Sequence, residues 1–167
     1  MEEQQAQAFN EQLNEELQSA YLYLAMAAYC DAENLPGTAN WLQEQAREEV
    51  GHAMRFYRFI LDRGGRVSLG PIVAPPKGFP SVLGLFESAL ENERAVTRSI
   101  HDLYRLIEKE EDYAAHTLLE GFASEQVEEE KSVGYIINSL KRIGDDGTGL
   151  FILDLELGKR AVTQPTA

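Results

Sequence analysis

Two short stretches of the chain carry residues able to do chemistry. Glu48, Glu49 and His52 lie in REEVGHAMR, residues 47–55, and Glu125, Gln126 and Glu129 in SEQVEEEKS, residues 124–132. Overlaid, they align as Glu48/Glu125, Glu49/Gln126, Val50/Val127 and His52/Glu129. The same offset of 77 residues pairs an earlier glutamate, Glu16, with Glu93, and also Phe9 with Phe86 and Leu13 with Leu90. Carboxylates beside a neutral imidazole are cation ligands when they converge. On the outside of a helix they are a solvated acidic face.

Heptad-like spacing separates the two cases. Steps of four and three run through Phe9, Leu13, Glu16, Ala20, Tyr23 and Ala27, and through Leu42, Gln45, Glu49, His52, Phe56 and Phe59. A third stripe is Leu83, Phe86, Leu90, Glu93, Thr97, Ile100, Tyr104, Ile107, and a fourth is Leu119, Phe122, Gln126, Glu129, Val133, Ile136, Leu140. Each stripe is apolar with a polar interruption that includes a glutamate, so the cluster faces inward. Glu16 precedes the first turn by about as much as Glu49 and His52 follow it. Glu93 stands in the same relation to Gln126 and Glu129, which brings four carboxylates and one imidazole to mid-bundle.

Burying a carboxylate costs several kcal/mol unless its charge is compensated. No Lys or Arg occurs in the four stripes. The glutamates therefore either hold protons at raised pKa values or hold cations, and two divalent ions would balance four carboxylates. Oxygen ligands with one nitrogen disfavour structural zinc, and a buried imidazole disfavours magnesium and calcium. Iron or manganese with open positions suits the set.

The elements that must position these residues follow from the breaks. NLPG at 34–37, the Gly/Pro-rich stretch 63–81, KEED at 109–112 and GDDGTG at 144–149 separate helical segments at roughly 4–33, 38–64, 81–108, 112–142 and 149–158. Short first and third links make antiparallel pairs, and a middle link of about 16 residues is able to run the length of a bundle at roughly 3.3 Å per residue. The expectation is all-α: a four-helix bundle with one long crossover and a short fifth helix, in a single domain, 1–167.

Bulk properties narrow the function. The chain has 167 residues, 44% of them hydrophobic, and a net charge of −13, so it has no basic tract for nucleic acid. Cys30 is the only cysteine, which excludes a disulfide framework and a cysteine-based metal cluster. The acidic N-terminus is no signal peptide, and the apolar run 21–30 is too short to span a bilayer. A soluble, cytoplasmic protein without nucleic-acid or membrane partners is expected.

Over nearly its whole length the chain resembles the non-haem ferritins of bacterial and archaeal type. The resemblance rests on NEELQSAYLYLAM (14–26), REEVGHAMRFY (47–57), ENERAVT (92–98), SEQVEEEK (124–131) and LFILDLEL (150–157). It implies a first iron site of Glu16, Glu49 and His52, with Glu49 bridging to a second completed by Glu93 and Glu129. Gln126 would sit beside the pair, and Tyr23 would be the nearby tyrosine. A third iron site would use Glu48, Glu125 and Glu128 and share Glu129. The resemblance further implies oxidation of Fe(II) by O2 or peroxide and storage of ferric mineral in a homo-oligomeric cage of twenty-four subunits. The second half reads Gln126-x-x-Glu129 where the symmetric di-iron pattern has Glu-x-x-His. That asymmetry, with Val50 in place of a haem-ligating methionine, counts against bacterioferritin. Gly121 stands where related chains often carry tryptophan.

Read from the residues alone, Tyr23 serves either as core packing or as a redox partner, and Glu48, Glu125 and Glu128 either as ligands or as a solvated face. His101 and His116 fall off the stripes and are expected at the surface; Gly51 allows either close helix approach or exposure. Two other functions fit the composition: a di-metal oxidoreductase acting on an organic substrate without storage, and a non-catalytic acidic bundle that binds partners. A rubrerythrin-like peroxidase is excluded because the chain has no CxxC pair.

Overall fold

The computed structural model describes residues 1–161; the last six residues of the expected domain lie outside the described residues. The elements are α1 (Glu3–Ala32), α2 (Pro36–Asp62), α3 (Val82–Glu110), α4 (Tyr113–Ile143) and α5 (Gly147–Leu157). All regular structure among the described residues is helical, as expected. α1 packs along α2, α3 packs along α4, α1 meets α3, and α5 lies against the N-terminal part of α2.

Boundaries follow local chemistry and shift from the sequence reading by up to two residues. Pro36 opens α2 at a position where its missing N–H costs nothing. Ser81 caps α3 by accepting from the Gly84 N–H at 3.0 Å, and Asp112 caps α4 by accepting from the Ala115 N–H at 3.1 Å. Gly64 ends the α2 region at φ +69°, a conformation that favours glycine. The crossover therefore spans 63–81, longer than the expected link.

A row of amides on α1 fastens that crossover. Asn10 accepts from Ser68 N at 2.7 Å and donates to Arg66 O at 3.0 Å. Asn14 accepts from Gly70 N at 3.0 Å and donates to Pro71 O at 3.1 Å, and Gln18 bonds both the N–H and the carbonyl of Val73. Spaced by four, the three side chains lie on one helix face. They satisfy backbone groups that the segment has no ladder to satisfy.

At the opposite end α5 caps α2 from a distance. Asp154 is buried and accepts from Gly37 N at 3.1 Å, Thr38 N at 2.7 Å and the Thr38 hydroxyl at 2.7 Å. Residue 37 has to be glycine, because a Cβ there would collide with the Asp154 carbonyl.

The apolar interior divides in two. One cluster gathers Tyr23, Met26, Leu42, Phe86, Val133 and Ile136; the other gathers Phe9, Leu13, Phe56, Ile60, Ile100 and Phe122. Between them lies a buried polar layer that includes Glu16, Gln45, Glu49, Glu93 and Gln126. Gly51 is exposed, and a Cβ there would meet nothing within 4 Å, so the chain's own packing does not require glycine at that position. His101 and His116 are exposed as expected, with His116 edge-on to the Tyr104 ring.

Candidate metal centre

All four bundle helices contribute to the polar layer because each places its interrupted stripe inward. Glu16 comes from α1, Glu49 and His52 from α2, Glu93 from α3, and Gln126 and Glu129 from α4. Glu16 and Glu93 are fully buried and Glu49 is 2% exposed. Glutamate, glutamate and imidazole come together most tightly at Glu16, Glu49 and His52, whose ligand atoms all lie within 4.8 Å of one another. His52 Nδ1 is 3.2 Å from Glu49 Oε2 and 3.9 Å from Glu16 Oε2.

Glu93 and Glu129 belong to the same layer but face neutral donors. Tyr23 donates its hydroxyl to Glu93 Oε1. The Gln126 amide donates to the Glu93 carbonyl at 3.1 Å and to Glu93 Oε2 at 3.2 Å. Gln45 donates to Glu129 Oε2 at 2.8 Å. Gln12, one turn before Glu16 on α1, donates to Glu16 Oε1 at 2.7 Å.

The electrostatics follow from burial without counter-charge. Among the described residues no lysine or arginine forms an ion pair with Glu16, Glu49, Glu93 or Glu129. Desolvation is the largest cause that raises the pKa of each. The neighbouring Glu49 charge adds to it for Glu16, and the Glu93 charge for Glu49 and Glu129. Burial raises Tyr23 too, with Glu93 as the next cause, so its phenol keeps its proton. Glu16 Oε2 is buried and has no hydrogen-bond partner. A buried carboxylate oxygen left open, beside a second carboxylate and an imidazole, fits a divalent cation: the ion would supply the missing partner and remove the need for protons.

The outer carboxylates are placed differently. Glu48 pairs with Arg160 at 2.5 Å, and Glu125 with Arg55 at 2.5 Å and with His52 Nε2 at 3.6 Å. Glu128 is 67% exposed in its side chain and pairs with Lys131 at 3.0 Å. The charge of Glu48 reaches Glu49, and Glu125 lies beside His52, so these two border the centre. Sequence reasoning did not single out Gln12, Arg55 or Arg160. The position of Gln12, four residues before a buried glutamate, is the one local signal among them.

Comparisons with known proteins bear on the family and the fold. The family model described as the ferritin-like domain matches residues 6–143. A bacterial non-heme ferritin of Staphylococcus aureus is 42% identical over 154 residues, covering 92% of this chain and 93% of its own. One from Staphylococcus epidermidis is 43% identical over 157 residues, covering 94% and 95%. Among solved structures, an open pore ferritin from the archaeon Archaeoglobus fulgidus superposes with a TM-score of 0.95 at 42% identity, covering 96% of this chain and 99% of that one. With its bundle, its crossover and its buried carboxylate layer, the chain belongs to the ferritin family.

Proposed function

We propose that this ferritin is a storage ferroxidase that takes Fe(II) as substrate at the buried layer. Glu16, Glu49 and His52 hold one ion; Glu49 bridges to a second held by Glu93 and Glu129, with Gln126 beside the pair. Glu48, Glu125, Glu128 and the shared Glu129 accept a third. The observation that carries the reading is the open, buried Glu16 Oε2 in a layer of carboxylates that, among the described residues, has no Lys or Arg partner.

Each Fe(II) gives up one electron on becoming Fe(III). Two such ions supply the pair of electrons that, with two protons, takes O2 to H2O2, or peroxide to two waters. Anionic oxygen ligands and a neutral imidazole favour the ferric state, which makes electron loss downhill. Protons leave the raised-pKa glutamates when cations replace them, so binding itself releases protons from the layer. Tyr23 orients Glu93 and is the nearest candidate for a further electron, since residue 121 is glycine. Ferric product then moves into the interior of a homo-oligomeric cage of twenty-four subunits, in the cytoplasm.

Aerobic stopped-flow addition of Fe(II) to metal-free protein tests this. The expected result is a fast phase saturating near two irons per chain, absent in Glu49→Gln, with later iron remaining soluble. Fast oxidation followed by precipitation would overturn storage in favour of a di-metal oxidoreductase acting on another substrate. Loss of the fast phase from the unaltered protein would overturn both.

A further inference from the structure

Glu48 and Glu125, the repeat-related carboxylates that border the layer, are each met by an arginine lying on an aromatic ring. Arg55 Nη1 bonds Glu125 Oε2 at 2.5 Å, and its guanidinium carbon is 3.9 Å from the Phe122 ring centroid. Arg160 Nη2 bonds Glu48 Oε2 at 2.5 Å, with its guanidinium 4.7 Å from the Trp41 centroid. Arg160 is held further by Nη1 on the Trp41 carbonyl at 3.4 Å and by Asn40 on its own carbonyl at 3.3 Å.

We propose that Arg55 and Arg160 are tethered counter-cations of the outer carboxylates and set how readily a third divalent ion joins the buried pair. The inference rests on the di-metal reading above. The two arginines do not correspond under the repeat: residue 132, the counterpart of 55, is serine, and 160 lies beyond the second half. The same arrangement is therefore built twice from unrelated positions, on carboxylates that are related. Guanidinium is weakly hydrated and stacks on rings, so it holds a part-buried carboxylate more firmly than an exposed lysine does. Lys131 at Glu128 is such a lysine, an exposed pair of little strength.

Gly121 makes room for one of these cations. A Cβ at 121 would come within 2.9 Å of Arg55 Nη2. The space beside the Phe122 ring is thus filled by charge. An ion arriving at Glu125 or Glu48 has to displace a +1 group already in contact, whereas Glu16, Glu49, Glu93 and Glu129 have no such competitor among the described residues.

The test is equilibrium dialysis of the assembled, metal-free protein against Zn(II), a redox-silent divalent ion, with thermal unfolding as a fold control. Arg55→Gln and Arg160→Gln should keep two tight ions per chain and bind a third about tenfold more tightly than the unaltered protein, the scale of one partly screened unit charge. Unchanged or weaker third-ion binding in both variants would overturn the proposal. If either variant unfolds early, Gly121→Ala decides. The added methyl meets only the flexible end of Arg55, so the fold stays and the guanidinium shifts. Its third ion should tighten about threefold, and no change there overturns the proposal. No tight pair in the unaltered protein would instead sink the di-metal reading beneath it.

Discussion

Tyr23 on α1 donates its hydroxyl to Glu93 on α3, across the buried layer and within a fully buried setting. The bond fixes one Glu93 oxygen, while the Gln126 amide meets the other. Tyr23→Phe should therefore keep the binding of two Zn(II) per chain and slow the fast oxidation phase severalfold. Its stability should fall by about 1–2 kcal/mol, the usual cost of losing one partner of a buried hydrogen bond. Loss of the second ion in a zinc titration would show that Tyr23 does more than orient Glu93.

Glu49 should weaken the metal-free fold at neutral pH. Its folded pKa is raised by burial and by the Glu93 charge above the ordinary value of 4.5. The folded state thus holds a proton that the unfolded chain sheds, so stability is complete below that ordinary value and declines as pH rises toward the folded pKa. Glu49→Gln removes this share. Metal-free Glu49→Gln should melt higher than the unaltered protein at pH 8, by roughly 1–3 kcal/mol of stability, and about level with it at pH 4. Equal melting of the two proteins at pH 8 would refute the assignment.

Asp112 behaves in the opposite sense. It takes both Arg63 nitrogens, at 2.8 and 2.9 Å, together with the Gln5 amide and the Ala115 N–H. Arg63, as the first cause, holds its carboxyl well below the usual 3.8. Its contribution is present above that value and is lost as pH falls toward the folded pKa. Asp112→Asn should cost about 1–2 kcal/mol at pH 7, discounted for the partly exposed arginine. The gap should narrow in denaturation experiments below about pH 4, where Asp112 of the unfolded chain begins to protonate while the folded carboxylate stays ionised.

Asp154→Ala should release α5 from α2. Cys30, buried in the same cluster as Leu157, has its thiol pushed up to about 12, first by burial and then by the Asp154 charge. In the unaltered protein it should resist a thiol reagent for hours. In Asp154→Ala it should react within minutes as the covering helix frays. Continued protection would show that Leu150, Leu153 and Leu157 hold α5 without the cap.

The inward stripes were legible because their apolar period continued on both sides of each glutamate. Phe9, Leu13, Ala20 and Tyr23 leave Glu16 no outward face, and the same holds for Glu49 and Glu93. Helix ends were less legible: Ser81 and Asp112 are local caps, but the cap of α2 is Asp154, more than a hundred residues away. Arg55 and Arg160 were missed for a related reason. Neither lies on a stripe, and their partners are set by how α4 and the segment after α5 come to rest. The outer glutamates could not be divided between ligand and solvated face for the same reason, since their neighbours are long-range cations.

The amide row on α1 gives the crossover a pitch. Surface connections usually absorb an added residue at little cost. Here Asn10, Asn14 and Gln18 meet the passing backbone at steps of about 6 Å along the helix, each at its own residue: Ser68, Gly70 and Val73. An insertion between Ser68 and Val73 throws every later amide out of step, as a slipped tooth does in a zip. Length drift in this exposed, proline-rich segment is thereby constrained as tightly as side-chain identity is in a packed core.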